Sequence, residues 1–397
     1  MADHKKILVV AGEASGDQHA AHLVAAIQAQ APRTEFFGIG GEAMAAQGVR
    51  LLCHASELAV MGLSEVLGRL GAVLRALRNV GRALKVERPA LVILVDFPDF
   101  NFWVARLAKF YRVPVMYYIS PQVWAWRTYR VRTIARLVDR MVVIFPFEEE
   151  FYRRRGVPVT YVGHPMLEAL PPRVDRRGLL PQWGLDPERL TLALLPGSRA
   201  SEIERHLPMM LAGARLIQAA IPPVQFLLPL ASTAPVALVR EMVAAEDAGH
   251  AAGPGPAGTP GLHLKMISGQ SYEALTAAHL AVVASGTATV EAALAGTPTV
   301  IVYRVSPLTF RVARSLVRVD HMGMANLLAG ERLFPELLQD DFTPARLAQE
   351  VLDLIADRAR LQSIFRGLAR VLDRLQSPGA SARAAQVALE LMTGDKK

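Results

Sequence analysis

The chain has 397 residues, enough for two domains, and 52% of them are hydrophobic against 20% charged, which excludes disorder as its main state. A single cysteine, Cys53, excludes a disulfide framework and a cysteine-rich zinc site and fits a reducing compartment. Lys and Arg number 44 against 36 Asp and Glu, and the resulting +8 favours phosphates, nucleic acid or an anionic membrane as partners.

At the start, the apolar run 7–11 stops short of Glu13 and is shorter than the roughly 7–15 residues of a signal peptide. No leader is expected, and the chain is expected in the cytoplasm. Short β-branched runs, each entering a Gly- or Ser-rich turn and then a helical period, follow one another. Residues 7–10 enter the turn 12–17, 91–95 enter 96–101, 115–119 enter 120–126, and 141–145 enter Pro146. After the proline-rich stretch 165–187 the rhythm restarts: 192–195 enter 196–199, 226–230 follow a helix, and 280–283 enter 285–289 before 299–303. Alternating helices and continuously apolar strands predict α/β architecture with parallel sheets, here two Rossmann-like halves separated near 170–190. The window 279–303 is nearly uncharged, but Gly286, Gly296 and Pro298 break it, so it predicts strand, loop, helix and strand rather than one membrane span. Residues 247–261 hold five Gly and three Pro and predict a surface loop; the tail from about 345 is expected to be helical.

Several turns carry polar groups suited to chemistry. Gly12 and Gly16 follow a strand and open a helix, without the spacing of a dinucleotide fingerprint or a P-loop. The turn is either a tight bend that needs glycine or a ligand loop at the carboxyl edge of the sheet, with Glu13, Ser15 and Asp17 as its polar side chains. Asp96 ends the apolar run 91–95 at that same edge. It could act as a general base or merely cap a turn, and Phe97, Phe100, Phe102 and Trp103 are expected to surround it with apolar bulk. In the second half, Gly197, Ser198 and Arg199 precede Ser201 and Glu204, read as a capping box, so a helix N-terminus and one arginine are expected to cradle phosphate. Ser285, Gly286, Thr287, Ala288 and Thr289 repeat that design, and Glu291 lies one turn on, either facing solvent or holding a ribose diol. Together they suggest a nucleoside diphosphate.

Basic stripes complete the inventory. Apolar residues recur at Leu63, Val66, Leu67, Leu70, Val73, Leu74 and Leu77, while Arg75, Arg78, Arg82 and Lys85 occupy another face. That is a cationic amphipathic helix, either packed with a solvated face or laid on a membrane. Arg311, Arg314 and Arg318 form a second stripe, and Arg127, Arg130, Arg132 and Arg136 a third. No nucleic-acid motif accompanies them, so nucleic acid is not the expected partner. His164, after a strand, could bond phosphate or hold a turn. Ten histidines without ligand spacing give no metal site.

The strings AGEASGD (11–17), ELAVMGLSEVLGRL (57–70), DFPDFN (96–101), YYISPQVWAWR (117–127), FPFE (145–148), GHP (163–165), LLPGSR (194–199), ASGTATVE (284–291) and NLLAGE (326–331) resemble, in order, the lipid-A-disaccharide synthase family. Only the loop 247–261 departs from it. The resemblance implies a GT-B fold, with two Rossmann-like parallel-sheet domains facing a central cleft. Residues 1–170 would form the acceptor and membrane-facing domain, 171–360 the UDP-sugar domain, and 361–397 helices returning to the first. It implies a glycosyltransferase joining UDP-2,3-diacylglucosamine to 2,3-diacylglucosamine 1-phosphate by inverting displacement, peripheral on the inner face of the bacterial inner membrane, with no cofactor and no metal.

By that resemblance Asp96 is the base. Ser198, Arg199, Ser285, Gly286, Thr287, Ala288, Thr289, Glu291 and Asn326 face UDP. Gly12, Glu13, Ser15, Gly16, Asp17, Trp124 and Arg127 face the acceptor, and Arg75, Arg78, Arg82 and Lys85 an anionic phospholipid surface. A UDP-sugar 2-epimerase of the same fold, a non-catalytic lipid carrier and a homodimer all stay open at this point.

Overall fold

The computed structural model describes residues 5–58, 66–126, 128–169, 175–231, 234–251, 261–306, 310–311, 321–375 and 379–394. The strands are β1 (Lys6–Ala11), β2 (Glu35–Gly40), β3 (Arg50–His54), β4 (Leu91–Val95), β5 (Val115–Tyr118), β6 (Arg140–Val143) and β7 (Val159–Tyr161), then β8 (Leu190–Leu195), β9 (Val224–Leu230), β10 (Leu264–Ser268), β11 (Leu280–Ala284), β12 (Thr299–Tyr303) and β13 (Glu336–Leu338). They form two parallel sheets, ordered β3-β2-β1-β4-β5-β6-β7 and β10-β9-β8-β11-β12-β13. Residues 7–11 and 91–95 are fully buried, as central strands covered on both faces must be.

Each sheet belongs to its own compact unit. Among the described residues, one unit takes those up to Ala169 and from Leu375 onward, and the other those between. The return to the first unit therefore comes at Leu375 rather than 361, and the Arg358–Leu375 helix stays with the second. The Ala380–Thr393 helix buries Ala380, Ala384, Ala385 and Ala388 and packs against the Ala14–Gln30 helix, small side chains allowing close approach. Arg383 donates to the Val162 carbonyl at 2.5 Å, and the Ser381 amide donates to Glu168 at 2.9 Å. Both ties lie within the first unit.

In the second unit the Ala200–Ala220 helix buries Ile203, Leu207, Met210, Leu211, Ala214 and Ile217 at helical spacing. It begins one residue before the expected capping box. Glu202, not Glu204, turns back to the start, accepting from the Ser198 amide at 3.1 Å and the Arg199 amide at 3.3 Å. The expected loop 247–261 is helical as far as Ala251, where the Val236–Ala251 helix ends, and Asp247 pairs with Arg215 at 2.5 Å. Residues 252–260 lie outside the described ones.

Candidate active site

Parallel pairing brings the sequence motifs of the first unit to one edge. The register Ala11↔Val95 sets Gly12 beside Asp96, and Val95↔Tyr118 brings the end of β5 next to both. Asp96 and Phe97 take φ of 45° and 47°, and Ile119 takes 63°. Three non-glycine residues in the left-handed region, on two adjacent strand ends, store on the order of 1–2 kcal/mol each.

A clamp holds this turn. The Asp96 carbonyl accepts from the Tyr117 hydroxyl at 2.6 Å and from the Asn101 amide at 2.7 Å. Tyr117 is fully enclosed, and burial first, the Asp96 charge second, holds its hydroxyl far above the usual tyrosine range, so it stays a donor. Phe100 and Phe102 are buried as expected, but Trp103 is 56% exposed and points away from the apolar surroundings predicted for it. Asp99 pairs with Arg130 at 2.5 Å.

Gly12 fits because nothing larger can. A Cβ on it would lie 2.2 Å from Cδ1 of Phe97. Asp17, expected beside the acceptor, is buried with its carboxylate committed to the chain. It accepts from the amides of Gly41 (2.6 Å), Ala43 (2.9 Å) and Met44 (3.2 Å), capping the short Glu42–Ala46 helix. Glu13 is half-buried, Ser15 is exposed and Gly16 is buried. Replacing Asp17 by Ala strands those three amides, and thermal unfolding should show a loss of about 3 kcal/mol. Unchanged stability with lost turnover would return Asp17 to the acceptor.

The next strand ends supply a buried carboxyl. Trp124, expected to meet the acceptor, is buried and donates through Nε1 to Glu148 at 3.0 Å, while the Phe145 amide donates to the other oxygen at 3.3 Å. Burial pushes Glu148 up to about 7. His164 is buried and accepts from the Met166 amide at 3.3 Å, which makes it the turn histidine of the two readings. Burial pushes it down to about 3 and His19, its neighbour at 6.3 Å, down to about 4, so both are neutral at physiological pH. Arg127 lies outside the described residues.

The second unit gathers its loops in the same way. Leu195↔Val283 and Ala284↔Val302 place the turn 196–199, the turn 285–286 and the end of β12 side by side. The Ser285 hydroxyl donates to the Met322 carbonyl and the Thr289 hydroxyl to the Gly286 carbonyl, both at 2.7 Å, so neither points at a ligand as predicted. Helix geometry leaves the first amides of the Thr287–Ala295 helix without intrahelical acceptors, so they are donors that an anion could take. The Thr287 side chain is exposed and Ala288 half-buried. Glu291 is half-buried, and burial first, then the charge of Glu273, pushes its carboxyl up to about 7.

Asn326 does not face a nucleotide with its side chain. It is fully buried, and its amide donates to Phe334 (2.9 Å) and Glu336 (2.8 Å) while its oxygen accepts from the Phe334 amide (2.7 Å). Glu336 also accepts from the amides of Met322 (3.0 Å) and Gly323 (2.9 Å), so it buttresses the segment that holds Ser285. His206, fully buried, bonds the Pro196 carbonyl through Nδ1 at 2.8 Å and accepts from the Arg304 amide through Nε2 at 3.0 Å. Burial favours the neutral ring, and these bonds tie the turn 196–199 to the end of β12. Arg205, Arg304, Val305 and Ser306 line a cavity of about 340 Å³ there, adding two cations to Arg199. Neither Glu336 nor His206 stood out in the sequence; their partners lie 10 to 98 residues away.

The basic helix Val66–Glu87 forms, and Arg75, Arg78, Arg82 and Lys85 are all exposed. Its apolar face is not free: Ala76, Val80, Ala83 and Leu84 are buried, and Val73 and Leu77 pack against the same core. Leu74, next to Val73, is exposed, at 47%. Leu63, Arg314 and Arg318 lie outside the described residues, and Arg311 is exposed. Among the described residues no group of three His, Cys, Asp or Glu could hold a metal ion, and no helix is long and apolar enough to cross a membrane.

A family model described as lipid-A-disaccharide synthetase matches residues 7–391. Similar curated proteins include the lipid-A-disaccharide synthases of Syntrophus aciditrophicus (strain SB), 45% identical over 388 residues and 98% of each chain, and of Myxococcus xanthus (strain DK1622), 46% identical over 392 residues and 99% of each. Among solved structures, UDP-GlcNAc 2-epimerase from Neisseria meningitidis bound to UDP-GlcNAc has a TM-score of 0.66 at 13% identity, over 97% of this chain and 100% of that one. The calicheamicin glycosyltransferase has 0.56 at 16% identity, over 100% and 99%. At such identities the structural likeness is one of fold, the two-domain GT-B design of glycosyltransferases and epimerases.

Proposed function

The chain belongs to the lipid-A-disaccharide synthetase family, a family of glycosyltransferases, and from that premise we propose how its residues carry out the transfer. The donor is UDP-2,3-diacylglucosamine and the acceptor 2,3-diacylglucosamine 1-phosphate. Asp96 takes the proton of the acceptor 6-hydroxyl as that oxygen attacks the donor's anomeric carbon from the face opposite UDP. The carbon–oxygen bond to UDP breaks, UDP leaves with the electron pair, and the product is the β-1,6-linked disaccharide 1-phosphate.

The observation that supports this most is Asp96 itself: a carboxylate at a strand end, beside the Gly12 turn, on backbone held strained by Tyr117 and Asn101. Charge on the departing diphosphate is met by Arg199, Ser198 and the amides of Gly286, Thr287 and Ala288. Arg205 and Arg304 are further cations at that edge. The exposed residues Arg75, Arg78, Arg82 and Lys85 face anionic phospholipid, with the protein peripheral on the inner face of the bacterial inner membrane.

Purified protein with both lipid substrates in detergent and EDTA should yield the tetraacylated disaccharide monophosphate and UDP by mass spectrometry. UDP release without disaccharide would point instead to epimerase-like chemistry.

Glu291 gives this reading a pH signature. If its carboxylate holds the ribose diol, donor KM falls as pH rises from about 6 to about 8, because the group ionises near 7. In Glu291→Gln the KM should be roughly tenfold higher or more and flat over that window, the scale of one charged hydrogen bond. A wild-type KM that ignores pH there would remove Glu291 from the donor site.

A further inference from the structure

We infer that Glu148 is a positioning residue for the acceptor side of the transfer. Through its hydrogen bond to Trp124 it ties the segment 119–126, which follows β5, to the helix Pro146–Arg153, which follows β6, and so sets the turn beside Asp96. The inference rests on the reaction proposed above and gives a role to Trp124, whose ring is buried rather than presented to a ligand.

The ends of β4, β5 and β6 stand in a row. Val95 pairs with Tyr118, and the Ile119 amide donates to the Val142 carbonyl at 3.0 Å. Ile119 is thus the neighbour of the strained Asp96 turn, and it takes left-handed backbone itself. A β-branched residue persists in that conformation only where its surroundings hold it.

Two ties from the helix Pro146–Arg153 supply the hold. Glu148 and Tyr152, one turn apart on the same face, are both buried. The Tyr152 hydroxyl meets that of Ser120 at 2.7 Å, and Glu148 accepts from Trp124 Nε1 at 3.0 Å. The Trp124 ring also stands edge-on to Phe147 at 4.9 Å between centroids.

The two oxygens of Glu148 go to different places. One accepts from the Phe145 amide at 3.3 Å, as a glutamate at the third position of a helix ordinarily does. The other leaves the helix for Trp124 on the next loop. A cap alone does not require burial, and this carboxyl is 2% exposed among neutral donors. Burying a carboxyl costs stability that an apolar side chain of the same size does not, so the cost marks a bond that packing cannot replace.

The test compares Glu148→Leu, Trp124→Phe, the two combined and Glu148→Gln, with UDP-2,3-diacylglucosamine and 2,3-diacylglucosamine 1-phosphate in detergent. Glu148→Leu strands the Trp124 N–H, whereas the double variant removes both partners, so its thermal unfolding should lie closer to the parent's. Its kcat/KM for the acceptor should nevertheless stay about tenfold below the parent's, the scale of one hydrogen bond to a carboxylate, with donor KM unchanged. The loss in the double variant should equal that in either single one, because all three lack the same bond. Glu148→Gln, which keeps an oxygen for Trp124, should recover most of it.

Parent-like acceptor kinetics in the double variant overturn the inference and leave the bond a packing contact. Losses that add, that spread equally to donor KM, or that Glu148→Gln fails to recover also overturn it. If the parent itself makes no disaccharide, the assigned reaction falls, and hydrogen exchange then reads the tie alone. Faster exchange over 119–125 in Glu148→Leu, with the other strand ends unchanged, upholds it; unchanged exchange there overturns it.

Discussion

Replacing Asp96 by Asn lowers disaccharide formation by about 10³-fold, within the range for losing a general base, and leaves UDP binding unchanged. Asparagine is the informative choice because it tolerates left-handed backbone, whereas alanine at φ 45° would add strain of its own. The Asn variant therefore keeps the turn clamped by Tyr117 and Asn101 and removes only the proton acceptor. Single-turnover measurements with saturating donor and acceptor should show the loss in the chemical step. Turnover within threefold or so of wild type would move the base elsewhere, with Glu13, in the Gly12 turn of the same edge, the next carboxylate to replace. The expected loss on the order of 4 kcal/mol in the barrier is larger than that from any single contact to UDP.

What was legible beforehand followed from local rules. Central strands such as 91–95 announce themselves by unbroken β-branched runs, and the turns after them are where parallel α/β sheets place ligands. That placed Gly12, Asp96, Arg199 and the turn 285–289 at the sheet edges with no coordinates at all. Strands β2, β3, β10 and β13 were not foreseen; β13 has three residues, and each of the four carries a charged residue, so periodicity marks them poorly.

Side-chain direction was harder still. Asp17 and Asn326 have the right chemistry for ligands, yet each fills its hydrogen bonds with backbone brought close only by the fold. Glu202 took the cap expected of Glu204 by a two-residue difference in helix start. The apolar stripe of the basic helix turned inward because the sheet beneath it needed covering, which left Trp103 and Phe110 on the adjacent helix as the exposed apolar surface. For Asp17 the partners lie 24 to 27 residues away, beyond the reach of a local pattern.

The second large effect is expected at Gly12, a residue with no side chain to lose. Alanine there would put its Cβ 2.2 Å from Cδ1 and 2.3 Å from Cγ of Phe97. The overlap reaches the root of the ring, so rotation of the ring alone gives little relief, and Phe97 must shift its backbone. Asp96 shares that strained turn, and a displacement of about 1 Å at a reacting group can cost about 10²-fold in rate. Gly12→Ala should therefore lower turnover by about that factor with donor KM unaltered, since the loops proposed to hold the nucleotide lie in the other unit.

A double-variant cycle separates this from direct contact with the acceptor. If the defect is the collision, trimming Phe97 to Ala removes it, and Gly12→Ala should then cost far less in the Phe97→Ala background than in the wild type. If Gly12 matters because substrate approaches its backbone, the alanine costs the same in both backgrounds. Additive losses would leave Phe97 a packing residue and sever the proposed link from the Gly12 turn to the position of the Asp96 carboxylate.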